Sequence, residues 1–318
     1  LDGRFSVYLP DKKFDCRLSI ISGGYGETIV IRLLINSAAS LNLEKLGITS
    51  VAKQSLDKAM LKTKGIIITT GPTGSGKTTT LYGILNKLNK PDVKIITVED
   101  PIEYQLPGVM QTQIDVEHGY TFAAAMRSLL RQNPNIMMIG EIRDEETAKI
   151  AIEAAMTGHL VLSTIHANSA AGAISRFAGL GVDKSSLANA IEFSIGQRLA
   201  RKICPHCKIE DNPSREMMEK VQAILKGISN KDAIIPKNLK FYRGAGCEEC
   251  NNLGYKGRVG LYETIASSPV IQKLIQNEEM TDYDIEQEAI KEGTVTIAQD
   301  GILKALAGET SLEEVFRV

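Results

Sequence analysis

The residues from Gly65 to Thr80, Gly-Ile-Ile-Ile-Thr-Thr-Gly-Pro-Thr-Gly-Ser-Gly-Lys-Thr-Thr-Thr, constrain this chain more than any other stretch. A β-branched run leads into a glycine-rich loop, and Thr78 to Leu88 reads as a helix. Strand, loop and helix around Gly71-x-x-x-x-Gly76-Lys77-Thr78 make the P-loop spacing. Glycines let the backbone curl until several N–H groups point into one concavity, which holds phosphate oxygens. The positive end of the following helix adds to that field. Lys77 is placed to reach β/γ-phosphates and the Thr78 hydroxyl to ligate Mg²⁺. Gly71, Pro72, Thr73, Gly74, Ser75, Gly76 and Thr79 complete the cradle. An ordinary glycine-rich turn is the alternative, but every motif position is filled between a strand and a helix. The expected ligand is a nucleoside triphosphate.

A length of 318 leaves room for about two domains. Apolar content is ordinary at 43 %, enough for a core. Net charge is −1, which speaks against a nucleic-acid binder, since such proteins carry a basic excess. It leaves a local basic patch open. No apolar run reaches the ~18 residues of a membrane span, and Leu1-Asp2-Gly3-Arg4 is no signal peptide. Opening directly into strand-like sequence suggests that an N-terminal portion is missing. Of 5 cysteines, all but Cys16 fall in two CxxC pairs, which fits a reducing compartment and a metal better than disulfides. A cytosolic location is expected.

Phe5 to Leu9, Cys16 to Ile21 and Glu27 to Leu34 read as strands around a Gly23-Gly24 turn. They are too few for a well-buried sheet and look like the end of a larger β-containing domain. Arg17 and Arg32 lie on them as solvated strand-face charges, and Cys16 as a half-buried strand residue. Ala38 to Gly47 reads as a linker, and Thr49 to Thr63 as a loose helix. Beyond the P-loop, Lys94 to Asp100 is a strand followed by Pro101-Ile-Glu103. Phe122 to Gln132 is a helix with Thr121 as N-cap, Asn135 to Ile139 a fully apolar strand, and Asp144 caps a helix through Met156. His159 to His166 is a further strand.

Strands alternating with helices of this length argue for a doubly wound, mostly parallel sheet, with ligands beyond the carboxyl ends of the strands. Those ends carry the P-loop, then Glu99, Asp100 and Glu103, then Glu141, and lastly His166. Phosphoryl transfer to water needs a cation on the phosphates and a group that positions the water. Glu141 follows an apolar strand, the Walker-B position, and is expected to hold Mg²⁺ directly or through water. Either Glu99 or Glu103 would orient the water, the other locking the network. His166 is expected to sense the γ-phosphate by hydrogen bond. A solvated carboxylate or a structural histidine explains any one of these residues taken singly; the cluster beside a P-loop favours function.

Cys204-Pro-His-Cys207 and Cys247-Glu-Glu-Cys250 are two CxxC knuckles, able to supply four thiolates to a tetrahedral structural zinc. The loop between them exceeds the usual ~15–20 residues, His206 is an alternative ligand, and a redox pair or unbound thiols compete. A four-sulfur site has no open position and serves folding or docking. Beyond Arg258 the chain turns helical: Val270 to Gln276, Tyr283 to Lys291 and Thr296 to Ala307. Ser311 with Glu314 reads as a capping box for a terminal helix.

Together these motifs resemble the secretion ATPases of type II secretion and type IV pilus assembly. The matching stretches are Gly71 to Tyr82, Thr97 to Tyr104, Gly140 to Asp144, Thr157 to His166 and Gln197 to Arg201, with the CxxC pairs and Gly254 to Arg258. Two stretches depart from the usual wording, Asn133-Pro134-Asn135 and Ile165-His-Ala-Asn168, and neither departure removes an expected nucleotide contact. The resemblance implies an α/β fold: a RecA-like P-loop core with the remnant of an N-terminal α+β domain, a four-cysteine zinc module and a C-terminal helical subdomain. The boundaries expected are 1–38, 39–203, 204–257 and 258–318. It implies Mg-dependent ATP hydrolysis in a homohexamer, driving assembly of pilin or pseudopilin subunits. Inner-membrane platform and cytoplasmic-anchor proteins are the implied partners, with peripheral membrane association and no direct nucleic acid. Glu103 takes the catalytic role, Glu141 the magnesium side, and Arg17 and Arg32 close over the phosphates. Retraction motors generally lack the four-cysteine module, so its presence favours assembly or secretion. A retraction or DNA-uptake motor and a non-catalytic nucleotide-binding scaffold are the rival readings.

Overall fold

The computed structural model describes every residue except 1, 10, 11, 35–41, 44, 49, 231, 232 and 237. Residues 38–41 and 44 of the expected linker therefore lie outside the described residues. At the start of the chain, β1 (Asp2–Leu9), β2 (Lys12–Gly23) and β3 (Gly26–Leu34) form an antiparallel sheet of order β1-β2-β3. The register sets Arg17 opposite Arg32, so period-2 alternation puts both on one face, with Cys16, Leu33 and Ile31 on the other. Three strands cannot bury much, and Ile29, Val30, Ile31 and Leu33 are all exposed. Cys16 is an exception, fully buried rather than half-buried.

The next segment runs α1 (Ser50–Met60), β4 (Gly65–Thr70), α2 (Lys77–Leu88), β5 (Ile95–Glu99), β6 (Met110–Gln113), α3 (Phe122–Leu130) and β7 (Ile136–Ile139). It continues with α4 (Glu145–Met156), β8 (Leu160–Ile165), α5 (Ala170–Ala178), α6 (Lys184–Ala190) and β9 (Ile191–Ile203). Thr121 and Asp144 cap α3 and α4 through their side chains, as the sequence predicts. β10 (Lys208–Asp211), α7 (Arg215–Lys226), β11 (Phe241–Gly244) and β12 (Tyr255–Ala266) follow. The chain ends in α8 (Pro269–Gln276), α9 (Asp282–Lys291), α10 (Ile297–Leu306) and α11 (Leu312–Arg317).

Among the described residues the main sheet has the order β12-β9-β4-β8-β7-β5-β6, parallel from β9 to β6, with β12 antiparallel to β9. Strands buried on both faces need cover on both, and alternate residues divide between two cores. Ile66, Ile68, Met137, Ile139 and Val161 pack with Met126, Ile150, Ile174 and Phe177 from α3, α4 and α5. Ile67, Met138 and Leu162 pack on the opposite side with Leu56 of α1 and Leu81, Ile84 and Leu85 of α2. Leu43 and Ile48, just before α1, join this second core, and the Leu46 carbonyl accepts a bond from the Tyr262 hydroxyl at 3.2 Å. That part of the expected linker is therefore docked against β12.

The reading that the chain turns helical beyond Arg258 is corrected: β12 continues to Ala266. Val259, Leu261, Tyr262 and Ile265 are buried, and a β-branched and aromatic run finds its partner in β9. The long loop between the CxxC pairs also carries a helix of its own. Val221 and Leu225 of α7 share a core with Phe241, Ile302 of α10 and Val315 of α11, so the metal module and the terminal helices pack as one body.

Candidate functional site

β4, β8, β7 and β5 are parallel neighbours, so their carboxyl ends open along one edge of the sheet. That edge receives the P-loop from β4, His166 from β8, Glu141 from β7, and Glu99, Asp100 and Glu103 from β5. The ends are also tied together. Thr70 Oγ1 donates to the Ala167 carbonyl and accepts from the Ala167 N–H, both at 2.8 Å, fixing the end of β4 to the turn after β8.

Within the loop, Gly71 has φ 147° and Gly76 φ 86°, a region that disfavours a side chain. A Cβ on Gly71 would fall 2.3 Å from the Gln197 carbonyl oxygen, and one on Gly76 2.9 Å from the Gln197 side-chain nitrogen. The loop therefore leans directly on β9. Gln197, 2 % exposed, also accepts a 2.8 Å bond from Thr80 Oγ1, bracing the start of α2. Lys77 folds over the loop and donates to the carbonyls of Gly71 at 2.8 Å and Pro72 at 3.1 Å. Burial lowers its pKa, the Glu141 charge opposes this, and Arg198 lowers it further. Ser75 Oγ is buried without a hydrogen-bond partner.

Glu141 is 13 % exposed and sits between two cationic or potentially cationic groups, Arg143 at 2.5 Å and His166 at 3.4 Å. Glu99 is buried. One of its oxygens accepts from Thr97 Oγ1 at 2.5 Å and Gln111 Nε2 at 3.0 Å, and the other from the Tyr82 hydroxyl. Burial raises its pKa, the three donors lower it, and the neighbouring Glu103 raises it. With its oxygens engaged in this way, Glu99 locks β5 to α2 and β6. Of the two candidates, Glu99 ending β5 and Glu103 in the loop after it, Glu103 is the one left half-exposed.

Across the edge stands the N-terminal sheet. Arg17 Nη2 lies 3.5 Å from Glu103 Oε2, while Arg17 Nε and Nη2 are buried without a hydrogen bond. A cleft of ≈ 650 Å³ opens between the two sheets, lined by Arg17, Arg32, Asp100, Pro101 and Gln113 among others. Unsatisfied guanidinium donors and a glycine cradle with an orphaned hydroxyl suit a polyanion such as a triphosphate. Thr78 and Thr79 open the P-loop helix beside Lys77, and the Thr79 hydroxyl engages the Tyr104 phenol.

The four cysteines converge elsewhere, on β9's far end. The sulfurs of Cys204, Cys207, Cys247 and Cys250 all lie within 4.8 Å of one another, with pairs at 3.7, 3.8 and 3.9 Å. Four thiolates at ~2.3 Å from one tetrahedral ion stand ~3.8 Å apart, so the set fits zinc. Burial works to raise the Cys250 thiol's pKa, and the backbone N–H groups of Cys247 and Gly254, which point at its sulfur, lower it.

Gln197, Tyr82, Gln111, Arg143 and Arg198 entered the sequence reading at most as letters within a motif. For Gln197 the one sequence signal is a polar group inside a strand that is otherwise apolar around it, between Ile195 and Leu199.

The family model described as "Type II/IV secretion system protein" matches residues 1–317. A type II secretion system protein E of Pseudomonas aeruginosa is 43 % identical over 317 residues, covering 100 % of this chain and 61 % of that protein. The type IV pilus assembly ATPase PilB of the same organism is 43 % identical over 318 residues, covering 100 % of this chain and 54 % of that one. The chain thus spans little more than half the length of these relatives. Among solved structures, the pilus retraction motor PilT with bound ADP aligns with TM-score 0.67 at 25 % identity, over 99 % of this chain and 77 % of that one.

Proposed function

Because the chain belongs to the family of type II/IV secretion system proteins, we propose that it hydrolyses ATP with Mg²⁺ to drive assembly of pilin or pseudopilin subunits at the inner membrane. The observation that carries this reading is the convergence of P-loop, Glu103, Glu141 and His166 on one sheet edge, faced by Arg17. In it the N–H groups of 71–76 and Lys77 hold the β/γ-phosphates. Thr78 and Glu141 hold Mg²⁺, which when bound neutralises phosphate charge. Glu103 orients the attacking water, His166 hydrogen-bonds the γ-phosphate, and Thr79 borders the nucleotide. Arg17 and Arg32 close over the phosphates, so Arg17 exchanges Glu103 for phosphate oxygens as the cleft closes. Hydrolysis releases the arginines, and the N-terminal sheet swings, a ligand-driven population shift.

In the assembled motor the chain is part of a homohexamer at the cytoplasmic face of the membrane, pushing on platform and anchor proteins. No helix among the described residues is long and apolar enough to cross a membrane. The four-cysteine cluster and the higher identity to the secretion and pilus-assembly relatives favour assembly over retraction. Cys204, Cys207, Cys247 and Cys250 hold a structural zinc.

Phosphate release from Mg-ATP is the test. The chain should turn over, and Lys77→Ala should lower turnover about a hundredfold or more; undiminished turnover in that variant removes the assignment. For the metal, elemental analysis should return about one zinc per chain. Protein purified without chelator and found free of zinc would rule out the four-thiolate site.

A further inference from the structure

The loop that carries Glu103 is held from α2, the P-loop helix, and we propose that Tyr82 is the positioning residue that sets where Glu103 stands. This rests on the reading of Glu103 as the group that orients water. Tyr82 lies within α2, downstream of Lys77 on the same helix, and is completely buried. Its hydroxyl donates to Glu99 at the end of β5, and the nearby Glu103 backbone N–H acts to lower the phenol's pKa. Its ring meets Tyr104, the residue after Glu103, edge to face, with centroids 4.7 Å apart and planes at 83°.

A second clamp closes the loop from the other side. Gln111 of β6 donates to the Tyr104 carbonyl at 3.2 Å and accepts from the Leu106 N–H at 2.7 Å. The same Nε2 reaches Glu99 at 3.0 Å and the Tyr82 hydroxyl at 3.4 Å. Glu103 itself makes its one described ion pair with Arg17, on the opposite side of the cleft. Its backbone is therefore fixed by Tyr82, Tyr104 and Gln111, leaving the carboxylate free to serve the cleft. Burial, reinforced by the Glu99 charge, pushes the Tyr82 phenol far above its ordinary value, so it remains a donor at any working pH. Thr79, at the front of α2, engages the Tyr104 phenol. A shift of α2 against a bound nucleotide is thus passed to the water-orienting acid through two tyrosines.

Misplacing a catalytic group by about 1 Å can cost on the order of a hundredfold in rate. In the full chain with Mg-ATP, Tyr82→Phe should lower kcat by at least about tenfold while KM stays within about twofold. Gln111→Leu, at a half-buried site on β6, should show the same split and decides the matter if the tyrosine variant fails to fold. A kcat within about twofold of the parent, or a rise in KM with kcat unchanged, overturns the proposal. Glu103→Gln is the control. If it keeps parental turnover, the role given to Glu103 is wrong; if it is inactive while Tyr82→Phe is unimpaired, only the positioning role falls.

Discussion

The seven-stranded sheet buries Ile66, Ile67 and Ile68 completely under helices on both faces, whereas the three-stranded sheet across the cleft leaves Val30 and Leu33 61 % exposed. One holds its site residues by packing and by bonds between strand ends. The other presents Arg17 and Arg32 from a surface with few buried contacts, the property of an element that can shift as a unit. The difference separates two jobs. Lys77, Glu99 and Glu141 owe their placement to a close-packed scaffold, and Arg17 reaches the site as a charge on a lightly held part. The proposed cycle of closing and release calls for a rigid cradle and a cation that can leave it.

Stability measurements should expose this contrast most strongly. Ile67→Ala empties space between β4 and α2 and should cost roughly 2–5 kcal/mol in denaturant unfolding. Leu33→Ala, on the exposed sheet, should change stability by less than about 0.5 kcal/mol. Equal costs would mean that the two sheets are held alike.

A buried carboxylate anchors the terminal helix to the main sheet. Glu314 of α11 is fully buried and bonds Arg201 of β9 through backbone at 2.9 Å and side chain at 2.6 Å, and Arg317 at 2.7 and 2.8 Å. Burial works to raise its pKa, but the hydrogen bonds from Arg317 and Arg201 outweigh it and hold the carboxyl at about 2, below its ordinary 4.5. A depressed carboxylate pKa stabilises the fold above the unfolded value, and that stability is lost as pH falls from about 4.5 toward 2. Discounted for the half-exposed arginines, Glu314→Gln should cost about 2 kcal/mol at neutral pH and flatten the acid limb of the stability curve. An unchanged acid limb would assign that limb to other carboxylates.

A smaller effect is expected on the N-terminal sheet, and it should be read in turnover. Arg17→Ala should lower ATP turnover about tenfold, worth about 1.4 kcal/mol. Arg17→Lys should recover little of it, because an ammonium lacks the planar fork that serves two oxygens at once. Parental turnover in both variants would leave the N-terminal sheet without a part in the chemistry.

Much of the site could be read from the chain because its signals are local. Spacing within 71–78 defines the phosphate cradle, and a run such as Ile136–Ile139 followed by Gly140-Glu141 marks the end of a buried strand. The caps Thr121 and Asp144 act over three residues and were equally visible. Ser311 and Glu314 show where local reading fails. Ser311 does accept the Glu314 N–H at 3.3 Å, but the glutamate turns away to two guanidinium groups, stronger partners than a backbone N–H. One of those partners, Arg201, is 113 residues distant.

Strand and helix types, the cradle, the two cysteine pairs and the order of the acidic positions follow from neighbours in the chain, since backbone propensity and short-range spacing govern them. Folding alone chose the antiparallel pairing of β12 with β9 and the joining of α7 to the terminal helices in one core. It also settled that Glu99 is locked away by Tyr82 while Glu103 faces Arg17. Those outcomes depend on which surfaces meet after long loops close, and on the cost of leaving a buried polar group without its partner; neither is written in adjacent residues.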